Sequence, residues 1–354
     1  LISVILPIFN GDRTVETAIQ SLLKQTSSRW ELIVVDDGST DKSKQKVKSF
    51  QDPRICYFYQ DHQERSVARN KGIEKATGDL LLFLDADDYL FPNAIELHEE
   101  YASRFPLTQV FVGDGLLCKN NLTPIIRFSE LIDFSVSDRN AFELLFIDRR
   151  IVGQNRTTVR HSLVREHGIQ FNSTLKYAED WLFWLEVLRC GKPFFFPNLV
   201  AAYRWYPDST THRSDPHFRH EQLALVRCQA LDWPEFSLLP LAIQTHFFYQ
   251  LLIEDLGGNG DQQTCVVHSE AFLNLPDQEK ARILRLIATD HLVRGSTKSQ
   301  VIPWIEQARY LYPKDLKVRL FSMLLRRSPR VARELIKFRR IRQKRSDQTT
   351  PKPA

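Results

Sequence analysis

The sequence predicts an α/β protein with a mostly parallel sheet flanked by helices, followed by a mainly helical C-terminal region. Three observations predict it. Over the first hundred residues, β-branched apolar runs alternate with segments of helical spacing. The strand-like runs are apolar on both faces, as strands covered by helices on both sides must be. From Pro216 onward the chain reads as helices interrupted by Pro and Gly.

The elements follow in order. "ISVILP" at 2–7 is a strand ending at a proline. Residues 13–26 place Val15, Ala18, Ile19, Leu22 and Leu23 at helical spacing. "ELIVVDD" at 31–37 is a second strand, and 39–50 reads as a helix opened by good N-cap residues. "RICYFYQ" at 54–60 is a third strand, and 65–78 a helix closing on Gly78 as its C-cap. "DLLLFLD" at 79–85 is a fourth strand, and 92–105 a helix with Pro92 in its first turn. Then the alternation loosens. Residues 109–115 are strand-like, 138–146 helical, and 193–205 a short strand. Residues 177–191 form a helix with Glu179 and Asp180 in its first turn, closing on Gly191. Later helices break near Pro234, Gly257 to Gly260, Pro276, Gly295 and Pro313, and the closing "SDQTTPKPA" reads as disordered. The implied organisation is a domain over 1–215, a helical region over 216–313, and a basic amphipathic segment with a disordered tail over 314–354.

Composition excludes a disordered chain, with 43% hydrophobic and 11% aromatic residues among 354. Five cysteines, at 56, 118, 190, 228 and 265, show no CxxC and no regular spacing. They read as buried or free thiols in a reducing compartment, which points to the cytoplasm. No apolar run reaches the roughly 18 residues of a membrane span. No signal peptide opens the sequence, and Leu1 leads straight into a strand. The first residue is not Met, so a lost N-terminal segment stays open. The net charge of +5 conceals an asymmetry: residues 314–354 hold 14 basic and 3 acidic residues, leaving 34 basic and 40 acidic in the body.

The acids gather where a ligand is expected. Parallel sheets bind ligands beyond the carboxyl ends of their strands. Asn10 follows the first strand, Asp36 and Asp37 end the second, and Asp85, Asp87 and Asp88 end the fourth. In "FLDADD" at 83–88, three carboxylates follow a buried-looking strand. A divalent cation held by few carboxylates, with phosphates completing its shell, would offset their repulsion. A solvated turn is the bland alternative. "VVDDGSTD" at 34–41 offers a strand-end carboxylate for a base or ribose, or simply an acidic turn with a helix cap. In "AEDWLFWL" at 178–185, a carboxylate at a helix N-terminus is kept ionised by the dipole, which suits a general base, although acid pairs are routine there. In "YRWYPDSTTH" at 203–212, Arg204 and His212 could meet phosphate oxygens or lie on a surface loop. No GxGxxG, P-loop or HExxH pattern occurs.

Taken in order, "VILPIFN" at 4–10, "SLLKQT" at 21–26, "ELIVVDDGSTD" at 31–41, "SVARNKGIEKATGDLLLFLDADD" at 66–88 and "HGIQFNSTLKYAEDWLFWLEVLRCG" at 167–191 resemble the family-two inverting glycosyltransferases of GT-A fold. The resemblance covers roughly residues 1–210. It implies a nucleotide-diphosphate sugar donor, with a UDP-sugar expected, and a glycan or lipid-linked acceptor. It implies that Pro7 and Asn10 line the nucleotide pocket, and that Asp36 or Asp37 holds the base. Arg69 and Arg204 would serve the donor, and Asp85 the nucleoside. Asp87, Asp88 and His212 would attend a Mn²⁺ or Mg²⁺ ion. Asp180, beside Glu179, would be the catalytic base. Two departures stand out. The family often carries glycine ahead of "ARN", where this chain has Gln63, Glu64 and Arg65. It often carries histidine two residues after "YR", where this chain has Tyr206.

A nonenzymatic nucleotide-sugar sensor on the same fold is the rival reading; it has no need of a base at Asp180. A nucleotidyltransferase would need a Gly-rich, Lys-bearing phosphate loop, which the N-terminus lacks. The basic stretch 314–345 mixes apolar clusters with Arg and Lys. It fits an anionic membrane surface, a helix packed on the body, or nucleic acid. The first is expected, with the protein peripheral at the inner face, and no nucleic acid.

Overall fold

A computed structural model describes residues 1–132, 141–205, 214–257 and 263–337. The chain divides into two compact units, Leu1–Asp215 and Pro216–Ala354.

The first unit opens with the expected alternation. Strand β1 (Ile2–Ile8) is followed by α1 (Val15–Leu23), β2 (Trp30–Asp37), α2 (Ser43–Ser49), β3 (Ile55–Gln60), α3 (Arg65–Lys75) and β4 (Leu80–Phe83). These four strands are parallel, in the order β3-β2-β1-β4. Their two faces divide as the period of two requires. Ile2, Val4, Leu6 and Ile8 of β1 pack with Leu32 and Val34 of β2 and with Val15, Ala18, Ile19 and Leu22 of α1. Ile33 and Val35 pack with Ala68 of α3 on the other face. That helix lies very close to β1. A Cβ at Gly72 would stand 2.3 Å from Ile5 Cγ2, so only glycine fits there.

Beyond β4 the sheet becomes mixed. The short β5 (Tyr89–Leu90) and α4 (Ala94–Arg104) lead to β6 (Val110–Lys119) and β7 (Pro124–Arg127). After helices α5 (Phe128–Leu131) and α6 (Ala141–Leu145) come β8 (Thr157–Arg160), α7 (His161–Glu166), α8 (Glu179–Cys190) and β9 (Pro193–Trp205). The sheet continues β4-β8-β6-β9-β5, with β7 on β6. β8 is antiparallel to both β4 and β6, while β9 runs parallel to β6. The purely parallel part is therefore the N-terminal half. Antiparallel pairing enters with β8, where the sequence alternation loosened, and β6 and β9 remain parallel.

Several boundaries differ from expectation, each for a local reason. Helix α2 starts at Ser43 rather than near Ser39, because the polar residues before it bind a neighbouring loop: Ser39 Oγ accepts from Asn10 N, and Asp41 Oδ2 from Asp12 N. Helix α3 stops at Lys75. Gly78 does not cap it; a Cβ there would meet Leu1 O and Ser3 N, each at 2.8 Å. Pro92 lies upstream of α4, whose N-cap is Asn93. Strand β9, by contrast, spans the expected 193–205.

The second unit is helical where described: Pro216–Leu231, Pro234–Leu238, Leu241–Gly257, Gln263–His268, Glu270–Leu273, Asp277–Arg294, Lys298–Leu311 and Leu316–Arg327, then 329–337. Its interior holds Phe236, Phe247, Phe248, Leu251 and Ile287. It also holds a buried ion pair, Arg227 Nε to Glu254 Oε2 at 2.6 Å. Gly295, at φ 102°, ends one helix in the left-handed region. Asp315 caps the last long one, accepting from Lys317 N and Val318 N. Among the described residues, no helix is long and apolar enough to cross a membrane.

Candidate active site

The carboxyl ends of β1, β2 and β4 form one edge, as parallel pairing dictates. Pro7 sits within β1, paired in register with Val35. Asn10, at φ 51°, joins two loops: its amide donates to Ser39 Oγ and its Oδ1 accepts from Thr40 N.

Asp36 and Asp37 are both buried. Asp36 accepts from Tyr57 Oη at 2.5 Å and Ser39 N at 2.8 Å. Burial, with Asp36 beside it, pushes the Tyr57 hydroxyl well above its ordinary pKa. Asp37 accepts from Gln60 Nε2 and Gln63 N, and His62 Nδ1 lies 2.8 Å from its Oδ2. These carboxylates shape the loop walls. Next to them an exposed aromatic pair, absent from the sequence reading, stands open: Phe9 stacks on His62 with ring centroids 4.2 Å apart.

At the end of β4, oxygens of Asp85, Asp87 and Asp88 lie within 4.8 Å of one another. Asp88 is buried and accepts from Asn155 Nδ2 at 2.8 Å and Arg204 N at 3.2 Å. Burial, then the charges of Asp87 and Asp85, push its carboxyl well above the usual range. Arg204 is buried as well. Its Nε donates to the Asp87 carbonyl, while its Nη2 is buried without a hydrogen-bond partner. Three crowded carboxylates, one of them strained toward neutrality, are the donor set a hard divalent cation takes. The three residues therefore fit such an ion. His212 lies outside the described residues.

One side chain joins the acids of β4 to those of α8. Arg69 of α3 is buried; its Nη2 donates to Asp85 Oδ1 and its Nη1 to Glu179 Oε1, each at 2.8 Å. Burial opposes its charge, but Asp85 and Glu179 outweigh that and hold its pKa above the ordinary value. Asn70 fixes the helix beside it, exchanging two 2.8 Å hydrogen bonds with the Phe171 backbone. Glu179 is 2% exposed and also meets Arg65 Nε at 2.7 Å. Burial raises its pKa against the pull of both arginines. Asp180, next along the first turn of α8, is partly exposed, and its Oδ1 accepts from Trp181 N.

Sequence reasoning missed Arg65, Asn155 and the Phe9–His62 pair. Arg65 was visible in principle, one helical turn before Arg69. Asn155 carried no signal, because its partner Asp88 is 67 residues away. Also missed was the backbone. Among the described residues, four non-glycine positions have positive φ, and three of them border this edge: Asn10, Glu64 and Ala178. Glu64 and Ala178 are the N-cap residues of α3 and α8.

Comparison with known proteins places this geometry. The model of glycosyl transferase family 2 matches residues 3–158. WfgD of Escherichia coli, a UDP-Glc:alpha-D-GlcNAc-diphosphoundecaprenol beta-1,3-glucosyltransferase, is 39% identical over 190 residues, covering 53% of this chain and 70% of that protein. The chain belongs to glycosyl transferase family 2. The family-2 chain is also 30% identical to an uncharacterized glycosyltransferase of Rickettsia typhi, over 60% of its own length and 66% of that relative's. Its fold resembles that of S. aureus TarS residues 1–349 in a complex with UDP-GlcNAc. The TM-score is 0.56 at 17% identity, covering 92% of this chain and 91% of the other. The mixed sheet flanked by helices is thus the GT-A fold of this family.

Proposed function

We propose that the chain is a metal-dependent, inverting glycosyltransferase. It would move a sugar from a nucleotide diphosphate, a UDP-sugar first among them, to a hydroxyl of a glycan or lipid-linked saccharide. One observation carries the reading: buried Arg69 holds Asp85 and Glu179 on one guanidinium. It thereby keeps the donor-side acids and the helix bearing Asp180 in one rigid frame. A sensor would need the acids of β4 but not the partly exposed carboxylate on α8. The activity of WfgD and the ligand of the TarS complex support a UDP-sugar.

In this reading the Phe9–His62 pair receives the base, and Asp36 and Asp37 hold the loops around it. Asp85, oriented by Arg69, meets the nucleoside. Asp87 and Asp88 hold Mn²⁺ or Mg²⁺, which when bound supplies positive charge against the departing diphosphate. Arg204 adds a fixed cation on the same side. Glu179 is turned inward with its Oε1 held by both Arg65 and Arg69, so its part is to position the helix. Asp180 accepts the proton of the acceptor hydroxyl. That oxygen bonds to the anomeric carbon as the bond from carbon to diphosphate oxygen breaks. A single displacement inverts an α-linked donor to a β-linked product.

The test is a screen of nucleotide sugars for metal-dependent binding and hydrolysis, followed by transfer to glycan and lipid-linked acceptors. Turnover of one donor with inversion supports the reading. Tight donor binding with no turnover in any combination would favour the sensor.

A further inference from the structure

The last described helices leave a stripe of apolar side chains in water. On Leu316–Arg327, the residues Val318, Phe321, Ser322 and Leu325 are buried. Ser322 Oγ donates to Glu306 and Arg326 pairs with the same carboxylate, so this face is docked on helix Lys298–Leu311. Leu316, Leu320 and Met323 remain 67%, 55% and 44% exposed. At about 100° per residue these three fall within about 60° of one another, opposite the docked face. After Ser328 the chain is helical again over 329–337. It buries Ala332 and leaves Val331 and Leu335, one turn apart, 50% and 52% exposed.

Cations border this stripe. Lys317, Arg319, Arg327 and Arg330 are exposed, and they form no salt bridge among the described residues. The stretch from 314 carries 14 basic and 3 acidic residues, in a chain whose remainder holds 34 basic and 40 acidic. The positive charge is therefore local to the segment with the unpartnered apolar stripe.

We propose that residues 316–337 form a docking surface for an anionic lipid bilayer. The apolar stripe would enter the acyl boundary and the flanking cations would meet the headgroups. Nucleic acid would use the cations but gain nothing from exposed Leu and Met side chains. A bilayer interface rewards both. The docked face already holds the helix in shape, so binding needs no coupled folding. This surface stands apart from the transferase reading and is tested without it.

The experiment is sedimentation of the full chain with phosphatidylcholine vesicles, and with vesicles containing a third phosphatidylglycerol. The expected result is binding to the second, at least tenfold weaker binding to the first, and release by 0.5 M salt. Each cation at such a surface contributes roughly fivefold. The double variant Leu320→Gln, Met323→Gln should lose tenfold or more in binding, with unchanged circular dichroism and melting temperature. The variant Arg327→Gln, Arg330→Gln should lose a similar factor. Equal binding to both vesicle types, or full binding by the Leu320→Gln, Met323→Gln variant, overturns the proposal. So does a single-stranded oligonucleotide that binds both the wild type and that variant while vesicles fail to compete.

Discussion

Glu64 holds the N-terminus of α3 in a conformation that suits glycine. Its φ of 77° and ψ of 158° lie in a region that residues with a Cβ enter at a cost of about 1–3 kcal/mol. It stands in the stretch where the family often carries glycine. Replacing Glu64 with Gly relieves that strain. Against it stand the greater freedom of glycine in the unfolded chain, about 0.4–1 kcal/mol, and the loss of an exposed ion pair. Lys176 Nζ lies 3.3 Å from Glu64 Oε1 with both side chains well exposed, so that pair is worth about 0–1 kcal/mol. The balance is a gain of about 1 kcal/mol. In a unit of this size that raises the melting temperature by roughly 2–4 °C. The control is Glu64→Ala, which loses the same ion pair but keeps the Cβ and the strain. Calorimetry should rank Gly above wild type, and wild type level with or above Ala. If the Gly variant melts at or below the Ala variant, the strain argument is wrong.

Four further outcomes follow from the structure. Asp180→Asn should lower transfer by about 10²–10⁴-fold while sparing donor affinity; retention of more than about a tenth of the activity would remove Asp180 as base. Asp87→Ala should abolish the metal-dependent part of nucleotide-diphosphate binding, and unchanged calorimetric affinity with metal present would remove it as a ligand. Gly72→Ala should destabilise the first unit by about 1–3 kcal/mol, since the new Cβ would press on Ile5; a denaturation midpoint equal to wild type would contradict that packing. His98 is buried, with Nδ1 against Thr158 Oγ1, and burial pushes its pKa down to about 3. The unfolded chain takes up that proton below its ordinary value of 6.5 and the folded chain does not. Stability should therefore fall by up to about 1.4 kcal/mol per unit as pH drops from 6.5 toward 3. His98→Leu should flatten that part of a urea-midpoint series against pH, and an unchanged slope would clear His98.

The acids of the site were legible in sequence because parallel pairing brings strand ends to one edge. Once the apolar runs around Ile2, Leu32 and Leu80 were recognised as strands, Asp36, Asp37, Asp85, Asp87 and Asp88 had to gather there. Asp180 was legible as a first-turn acid on a strongly apolar helix. Helix boundaries were less so. Ser39 and Asp41 have the chemistry of caps, yet they bind the loop after β1 instead. A cap and a long-range partner use the same hydrogen-bonding atoms, and local pattern does not tell them apart.

The alternation of β-branched runs with helical spacing determined by itself the fold class and which edge of the sheet would carry charge. Both depend on periods of two and 3.6 residues, which are local. Tertiary structure alone decided how the acids divide. Burial and two arginines turn Glu179 inward, while Asp180, one residue on, stays partly exposed. Arg69, which also holds Asp85, reaches Glu179 across 110 residues of sequence, and Asn155 reaches Asp88 across 67. It also decided which apolar face of the basic C-terminal helix is docked and which stays in water. Such pairings depend on which atoms meet after packing, and no period in the sequence encodes them.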